Sequence, residues 1–194
     1  MDEKELVKKA IKDREAFGEI VDIYYKEVIG YIYKRTFDKE LSKDLTQETF
    51  LRALKYLGTY KGKSPFIFWL LRIATNVINL YYRKEINENR FIKKYEETHS
   101  ENTSILPTDN IDYSVIHEYI KTLPTIEQTV LTLVFFEHRD LKDVALIINR
   151  RENSTRKIYY RALNNLKKKL KNDGYKFWKT WVLYIEGAKY EKKE

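Results

Sequence analysis

The sequence contains no cysteine, three prolines and six glycines. The absence of cysteine excludes disulfides and cysteine-ligated zinc, and the histidines, His99, His117 and His138, are too scattered to suggest a metal site. No apolar run approaches the ~20 residues that a membrane span needs, and the first residues mix acidic and basic side chains, unlike a secretion signal. We therefore expect a cytoplasmic protein without a metal, a cofactor or stable membrane insertion.

The sequence also lacks the patterns that mark enzymes and sheet proteins. It has no Gly-rich phosphate loop, no evident carboxylate pair or nucleophile–base set, and no apolar–polar alternation long enough for a β-sheet. It has positive charge instead, because 37 Lys and Arg residues against 29 Asp and Glu give a formal net charge of +8. This surplus favours an anionic partner such as nucleic acid, and we expect no enzymatic activity.

Helical periodicity dominates the first half of the chain. Apolar residues recur at three- and four-residue steps, which predicts a helical hairpin followed by a third helix. Ser42 is placed to cap the third helix, and Gly58 can adopt the left-handed conformation that commonly ends one. After a basic loop, Ser64 and Pro65 supply the N-cap and first position of a fourth helix that continues to about Lys84.

The second half of the chain predicts a helix-turn-helix. Thr125 with Gln128 matches the capping-box pattern ahead of an apolar helix. Asp140 can cap the next helix, and Asn149, which tolerates left-handed geometry, can make the turn into a helix over about residues 153–171. Helices joined by so short a turn are typical of a module that binds duplex DNA.

These patterns predict an all-α fold of two small helical domains joined by a flexible linker, the second domain being the helix-turn-helix. The linker is expected where the periodicity fades into a polar segment rich in Asn, Glu, Thr and Ser. A short C-terminal amphipathic helix follows the second domain. The predicted boundaries are residues 1–86 for the first domain, 87–111 for the linker, 112–172 for the second domain and 173–194 for the C-terminal extension.

The C-terminal extension is strongly aromatic. Its apolar residues fit one face of a helix: Phe177, Trp178, Trp181, Val182 and Ile185. Three interpretations remain open for this face: additional core packed on the second domain, a surface for an inhibitory or regulatory partner, or interfacial membrane contact.

The last predicted helix of the helix-turn-helix separates its charges from its apolar residues. In a DNA major groove, Arg donates bidentately to guanine edges, whereas Lys and hydroxyl groups mostly hold phosphates. The groove candidates are Arg156, Lys157, Tyr160 and Arg161. The alternative is a solvated helix that is basic for solubility.

The stretch KGKSPFIFWLLRIATN, residues 61–76, sets cations and aromatics beside the start of a helix. Aromatic faces that stack on unpaired bases, with Lys and Arg along the backbone, are the combination that holds single strands. The alternative is that four residues at helical spacing are core: Phe66, Trp69, Leu70 and Ile73. The single-strand candidates are Lys61, Lys63 and Ser64 in the loop, and Arg72, Asn76, Asn79, Arg83 and Lys84 on the helix.

Three segments carry a resemblance to a known family. DLTQETFLRALKYL (44–57), YKGKSPFIFWLLRIATNVINLYYRK (60–84) and LPTIEQTVLTLVFFEHRDLKDVALIINRRENSTRKIYYRALNNLKKKL (123–170) resemble, in the same order, the two domains of extracytoplasmic-function sigma factors of bacterial RNA polymerase. The first motif, followed by Phe-x-x-Trp-Leu-x-x-Ile-Ala-x-Asn, is specific to that family, and the second domain matches less literally.

The resemblance implies a non-enzymatic sigma factor that binds core polymerase and promoter DNA, both duplex and single-stranded, and that an anti-sigma factor could inhibit. The helix from residue 44 would dock on polymerase through Asp44, Gln47, Glu48 and Leu51. The single-strand candidates would hold the melted minus-ten element, and the groove candidates would read the minus-thirty-five duplex.

The sequence departs from the family pattern at the turn of the helix-turn-helix. Family members usually have Gly at the turn, an aliphatic residue next and Val early in the recognition helix, whereas this chain has Asn149, Arg150 and Thr155. Asn can make the turn. The polymerase-docking motif lies in the other domain and is unaffected.

Two other interpretations of the chain belong to different functional classes. One is a helix-turn-helix regulator that occupies an operator without binding polymerase, which would lack a polymerase affinity that depends on Gln47 and Glu48. The other is a helical module that sequesters a protein, which would open no DNA strand.

Overall fold

The computed structural model describes residues 3–93 and 113–172. In these two ranges every regular element is a helix, so the predicted all-α class is confirmed. Most of the predicted linker and the whole predicted C-terminal helix lie outside the described residues. The α-helices are α1 (Glu3–Ala10), α2 (Arg14–Thr36), α3 (Lys39–Tyr56), α4 (Phe66–Lys93), α5 (Tyr113–Lys121), α6 (Thr125–Phe135), α7 (Leu141–Ile147) and α8 (Glu152–Asn172), with a 3₁₀ turn at Leu57–Thr59.

The helices group into two compact units. The first unit contains α1 to α4 together with α7, and the second contains α5, α6 and α8. The predicted domain boundaries assign α7 to the second domain, whereas α7 packs against α4 in the first unit. The grouping therefore differs from those boundaries, which stay a prediction.

The core of the first unit lies between α2, α3 and α4. Ile32 of α2, Ala53 of α3 and Leu71 of α4 are fully buried there. The hydroxyls of Tyr31 and Thr75 lie within this core, 2.8 Å apart, and hydrogen-bond to each other. Because a buried polar group is costly without a partner, this pair favours one register of α2 against α4. Truncating Ile32 to Ala would lower the free energy of unfolding by roughly 2–5 kcal/mol.

The start of α3 is capped by Asp38 and not, as predicted, by Ser42. Asp38 has an extended backbone, and its Oδ1 accepts a hydrogen bond from the Leu41 N–H at 3.0 Å. Ser42 is buried one turn inside the helix, where its hydroxyl lies 2.9 Å from that of Thr36. The prediction was wrong because the apolar pattern, which begins at Leu45, starts later than the helix itself.

Gly58 does not end α3 in a left-handed conformation, which corrects a second prediction. The helix passes from Tyr56 directly into the 3₁₀ turn that contains Gly58. In the described part of the chain the glycine with positive φ is Gly62, at 65°. A 3₁₀ turn continues the helix without a left-handed residue, so α3 needs none at Gly58.

The start of α4 is close to its predicted position, and its end is not. The helix begins at Phe66, immediately after Ser64 and Pro65, but it continues to Lys93 where an end near residue 84 was predicted. Residues 85–93 lose the apolar periodicity but contain no Gly or Pro. Loss of amphipathicity alone does not stop a helix made of residues with good helical propensity.

The second unit packs α5 and α6 against α8. Ile116 of α5, Val130 of α6 and Leu166 of α8 are buried in its core. The predicted start of α6 at Thr125 is confirmed, but the capping box is wrong. The N-cap position is Pro124, which has no side-chain cap bond, and the Gln128 amide donates to the backbone carbonyls of residues 121 and 123 at 2.9 and 2.8 Å. These carbonyls lie at the last residue of α5 and just beyond it, where the helix leaves them without a backbone partner, and the one amide satisfies both.

The two local signals around α7 are confirmed. The Oδ1 atom of Asp140 accepts a hydrogen bond from the Asp143 N–H at 2.8 Å and caps the helix. Asn149 has a left-handed backbone with φ 55°, and the following Arg150 N–H donates to the carbonyl of Ala145 at 2.9 Å. Asn therefore makes the turn that Gly makes in most family members.

Candidate partner-binding and nucleic-acid surfaces

The outer face of α3 carries the four predicted polymerase-docking residues. Asp44, Gln47 and Leu51 are exposed, and Leu51 is exposed to 64%. Glu48 is half-buried, and its carboxylate accepts a hydrogen bond from Arg52 Nε at 2.5 Å. A single exposed Leu is ordinary by itself, whereas apolar surface rimmed by polar residues is typical of a protein-binding site. The structure therefore brings the four residues to one solvent-facing side of α3.

An apolar groove of about 370 Å³ runs beside this face, between α2 and α3. Its floor contains a stacked aromatic pair, Tyr25 and Phe50, with ring centroids 6.3 Å apart. Two of the predicted docking residues, Gln47 and Leu51, also line it. Sequence reasoning did not find the groove because three of its seven lining residues come from α2. The lining residues are Phe17, Val21, Tyr25, Gln47, Phe50, Leu51 and Leu54.

The loop before α4 presents its cations to solvent. Lys61 and Lys63 are exposed on either side of Gly62, whose positive φ turns the chain between them. The hydroxyl of Tyr60 donates to the carbonyl of Ser64 at 2.6 Å and so closes the loop across its base. The two lysines are therefore carried on a short closed loop at the entrance to α4.

An aromatic cluster supports this loop from below. The ring of Phe66 lies 5.0 Å from that of Tyr60, 5.5 Å from that of Tyr24 and 5.3 Å from that of Trp69. Phe66 is fully buried, which agrees with its interpretation as core, whereas Trp69 and Ile73 are half-buried. Trp69 thus contributes to the cluster and still presents part of its ring at the surface.

Glu3 ties the start of α4 to the rest of the first unit. Its carboxylate accepts one hydrogen bond from the Phe66 backbone N–H at 3.2 Å and another from the Tyr24 hydroxyl at 2.6 Å. A carboxylate at this position also complements the positive end of the helix dipole. Burial and then the hydrogen bond to Glu3 raise the pKa of Tyr24 well above its ordinary value.

Glu3 was missed by sequence reasoning. Ser64 was the predicted N-cap, but the described contact to the first N–H of α4 comes from a residue 63 positions earlier in the chain. Nothing local in the sequence marks such a contact. The one available signal was the acidic first turn of α1, which has an ordinary explanation in the dipole of α1 itself.

The polar face of α4 holds the remaining single-strand candidates. Asn76, Arg83 and Lys84 are exposed, and Asn79 is half-buried. Arg72 is also half-buried: its Nε donates to the carbonyl of residue 147 at 3.1 Å, and its Nη2 donates to that of residue 146. Burial lowers the pKa of its guanidinium. The Arg72 guanidinium therefore hydrogen-bonds the last carbonyls of α7. The other candidates on α4 are exposed or half-buried.

The exposed side of α8 carries the four groove candidates. Arg156, Lys157, Tyr160 and Arg161 are all exposed, while their neighbours Thr155, Ile158, Tyr159 and Ala162 are buried. The helix therefore presents the predicted residues on its solvent side, with Thr155 packed where the family usually has Val. The guanidinium of Arg156 is paired within the helix, because its Nη2 lies 2.9 Å from the Glu152 carboxylate.

Arg161 is held by a contact that sequence reasoning missed. The buried carboxylate of Glu127, on α6, accepts hydrogen bonds from Arg161 Nε at 2.7 Å and from Asn165 Nδ2 at 2.9 Å. An acidic residue in the first turn of α6 has an ordinary explanation in the helix dipole, so no sequence signal marks this pairing.

Within residues 3–93 and 113–172, neither a metal cluster nor a membrane span is found. No group of three or more acidic or histidine side chains is arranged to hold a metal ion. None of the helices in these ranges is long and apolar enough to cross a bilayer.

Residues 20–86 match the family Sigma-70 region 2, and residues 119–168 match the family Sigma-70, region 4. The chain is 30% identical to the ECF RNA polymerase sigma factor BldN of Streptomyces coelicolor, over 87% of this chain and 66% of that protein. It is 27% identical to the RNA polymerase sigma factor YlaC of Bacillus subtilis, over 82% of this chain and 95% of that protein.

Solved structures show the same fold. CnrH, solved in complex with the cytosolic domain of CnrY, superposes with a TM-score of 0.60 at 19% identity, covering 87% of this chain and 96% of that one. The sigma factor RpoE of Bartonella quintana, solved in complex with the anti-sigma factor NepR, gives a TM-score of 0.57 at 18% identity, covering 80% and 96%.

Proposed function

Because the chain belongs to the extracytoplasmic-function branch of the sigma-70 family of bacterial RNA polymerase, we propose that it binds core polymerase, directs it to promoters and helps to open them. The observation that carries this proposal is the presence of regions 2 and 4, in that order, along one chain. The chain performs no chemistry itself and works in the cytoplasm, where its polymerase partner is found.

Core polymerase docks on the outer face of α3. Gln47 and Glu48 act as polar anchors, Asp44 adds a charge at the rim, and Leu51 enters an apolar site on the enzyme. The groove beside Leu51 supports this assignment, because protein interfaces gain most of their affinity where an apolar centre is surrounded by polar groups. The exposure of Leu51 also supports it, since an exposed Leu at this position contributes little to folding.

The loop and the polar face of α4 bind the melted minus-ten element. Lys61 and Lys63 contact the phosphates of the unpaired strand, and Ser64 contributes a hydroxyl beside them. The aromatic cluster below the loop keeps these groups in place, and the exposed part of Trp69 offers a face for a base. The strand then continues along Asn76, Asn79, Arg83 and Lys84, whereas Arg72 is held by the carbonyls at the end of α7.

The recognition helix α8 binds the minus-thirty-five duplex. Arg156 and Arg161 supply the bidentate donors that major-groove readout uses, and Lys157 and Tyr160 contact the DNA backbone. The burial of Thr155 supports this register, because it places the four exposed side chains on the side opposite the core. The two domains, residues 1–86 and 112–172, act on the two promoter elements and are joined by the linker. The family also leads us to expect that an anti-sigma factor inhibits the chain.

Reconstitution with purified core polymerase tests the proposal. We expect the chain to co-elute with core enzyme on a sizing column at low salt, and to support run-off transcription from genomic fragments. Permanganate should then detect reactive thymines in the minus-ten region of the active fragments. Elution apart from polymerase would contradict the proposal. Duplex binding without polymerase binding would instead indicate an operator-binding regulator, and polymerase binding without reactive thymines would indicate a sequestering module.

A further inference from the structure

Glu127 is a buried carboxylate whose two oxygens are both used by α8. Its side chain is exposed to only 1%, Oε1 accepts from Arg161 Nε at 2.7 Å, and Oε2 accepts from Asn165 Nδ2 at 2.9 Å. A buried carboxylate is costly unless it is paired and hydrogen-bonded. The carboxylate of Glu127 is therefore stable in this position only because α8 supplies both donors. The two donors lie one helical turn apart and grip the carboxylate from both sides.

The pairing uses one end of the Arg161 guanidinium and presents the other. Arg161 is exposed to 59%, and Glu127 is bonded through Nε. In the described part of the chain, no hydrogen bond joins the two terminal nitrogens of Arg161 to another residue. A guanidinium donates from both edges of a planar fork, so one edge can be held while the outer edge meets a phosphate or a guanine.

We infer that Glu127 is a positioning residue for DNA recognition: it fixes the Arg161 guanidinium before duplex DNA arrives, with Asn165 holding the carboxylate in place. This inference rests on the proposed function, which places α8 on the duplex. A free arginine loses side-chain entropy on binding, and a guanidinium already held through Nε loses less. The same residue therefore serves the α6–α8 packing and the DNA contact.

A second pair on α8 provides a matched control. Glu152 is also bonded to an arginine, Arg156, at 2.9 Å, but its side chain is exposed to 47% and it takes the terminal Nη2. An exposed pair within one helix is worth little and rearranges easily in water. Glu152→Gln and Glu127→Gln therefore remove the same charge beside an arginine of the same helix, but only the second loosens a buried anchor.

The two substitutions should shift DNA affinity in opposite directions. Loss of a negative charge near a phosphate-binding face by itself strengthens binding, so we expect Glu152→Gln to lower Kd by up to about threefold. We expect Glu127→Gln to raise Kd by roughly fivefold, because Arg161 must then be ordered on the DNA and makes its contact in only part of the complexes. The salt dependence should also weaken towards that of Arg161→Ala, which loses a slope of about 0.9 if it removes one phosphate contact.

The measurement is fluorescence anisotropy of a labelled mixed-sequence duplex, titrated with the full chain over a range of salt concentrations beginning at low salt. Glu127→Gln is also made in the Arg161→Ala background, where we expect it to have no further effect on Kd or slope. A merely structural role for Glu127 would change stability and leave the slope as it was, and its effect would persist without Arg161. Thermal unfolding is followed in parallel.

Arg161→Lys keeps the inference testable if Glu127→Gln fails to fold. This substitution is at an exposed site and retains the charge, but a single ammonium cannot hold Glu127 and a phosphate as the two edges of a guanidinium can. We expect it to weaken duplex binding roughly as much as Glu127→Gln does, about fivefold. Unchanged binding by Arg161→Lys would contradict the inference.

Three further outcomes would overturn it. The first is a shift of equal direction and size in Glu127→Gln and Glu152→Gln. The second is an effect of Glu127→Gln that survives in the Arg161→Ala background, and the third is a parent chain that does not bind duplex even at low salt. Failure of the proposed function is distinguished by co-elution with core polymerase, since a chain that binds duplex in this pattern but not polymerase contradicts only that proposal.

Discussion

The two proposed DNA-binding surfaces are built in different ways. The surface of α8 is formed by one helix: its side chains are directed outwards by helical periodicity, and a long-range contact from Glu127 positions one of them, Arg161. The loop before α4 has no such frame, and it is held by Tyr60, by the buried ring of Phe66 and by Glu3 from the start of the chain. The irregular loop thus needs contacts from residues elsewhere in the chain to hold its shape, whereas a helix holds the shape of its own face.

The largest effect is expected from removing the buried ring below the loop. Phe66→Ala should lower the free energy of unfolding by about 3–5 kcal/mol, because it leaves a cavity among three other aromatic rings. Urea unfolding followed by circular dichroism measures this. The matched control is Tyr160→Ala on α8, an exposed ring whose loss should change stability by less than about 0.5 kcal/mol. Equal destabilisation by the two changes would contradict the comparison.

The next effect is expected from the anchor of α4. Glu3→Ala leaves the Phe66 N–H and the Tyr24 hydroxyl without their described acceptor, which should cost about 1–3 kcal/mol. Permanganate reactivity of promoter thymines should fall while co-elution with polymerase is retained. Glu5→Ala, at an exposed site on the same helix, is the control and should leave both unchanged. Loss of polymerase binding in Glu3→Ala alone would mean that this anchor supports α3 as well.

Exposed side chains on a helix face should be removable with little change in the free energy of unfolding. Leu51→Ala should weaken core polymerase binding by roughly tenfold, as truncation at the centre of an interface does, and should change the free energy of unfolding by less than about 0.5 kcal/mol. Ile23→Ala is the control, because Ile23 is exposed to 60% on α2 and does not line the groove. Polymerase binding that is equally weak in both variants would remove Leu51 from the docking face.

The smallest effect is a pH dependence of the loop support. The pKa of Tyr24 is raised in the folded state, so the folded chain holds this proton more tightly than the unfolded chain does. The corresponding stability is present below the ordinary tyrosine pKa of about 10 and is lost as the pH rises beyond it. The thermal unfolding midpoint of Tyr24→Phe should therefore fall less steeply with rising alkaline pH than the midpoint of the parent chain. Parallel curves would contradict the assignment.

The sequence predicted best what depends on neighbouring residues. The cap at Asp140, the left-handed turn at Asn149 and the exposed side of α8 all follow from local rules, and all are found. Competition between local signals explains the errors at Ser42 and Gly58, where Asp38 offered a second cap and a 3₁₀ turn replaced the left-handed end.

The candidate surfaces were predicted less completely than the fold. Their exposed residues follow from charge and periodicity, but Glu3 and Glu127 act on partners 63 and 34 positions away. Each lies in the first turn of its helix, where an acidic residue needs no tertiary explanation. Contacts of this kind are created by the packing of helices, so no local pattern could distinguish these residues from ordinary dipole partners.

The loop before α4 can change its chemistry more freely than its shape. A methyl group added at Gly62 would meet no atom within 4 Å, yet φ there is +65°, a conformation that costs an L-residue of the order of 1 kcal/mol. Positions 61 and 63 carry no such restriction and point into solvent. Variants designed to bind other promoter sequences should therefore replace Lys61 and Lys63 and retain Gly62, whose backbone conformation the loop requires.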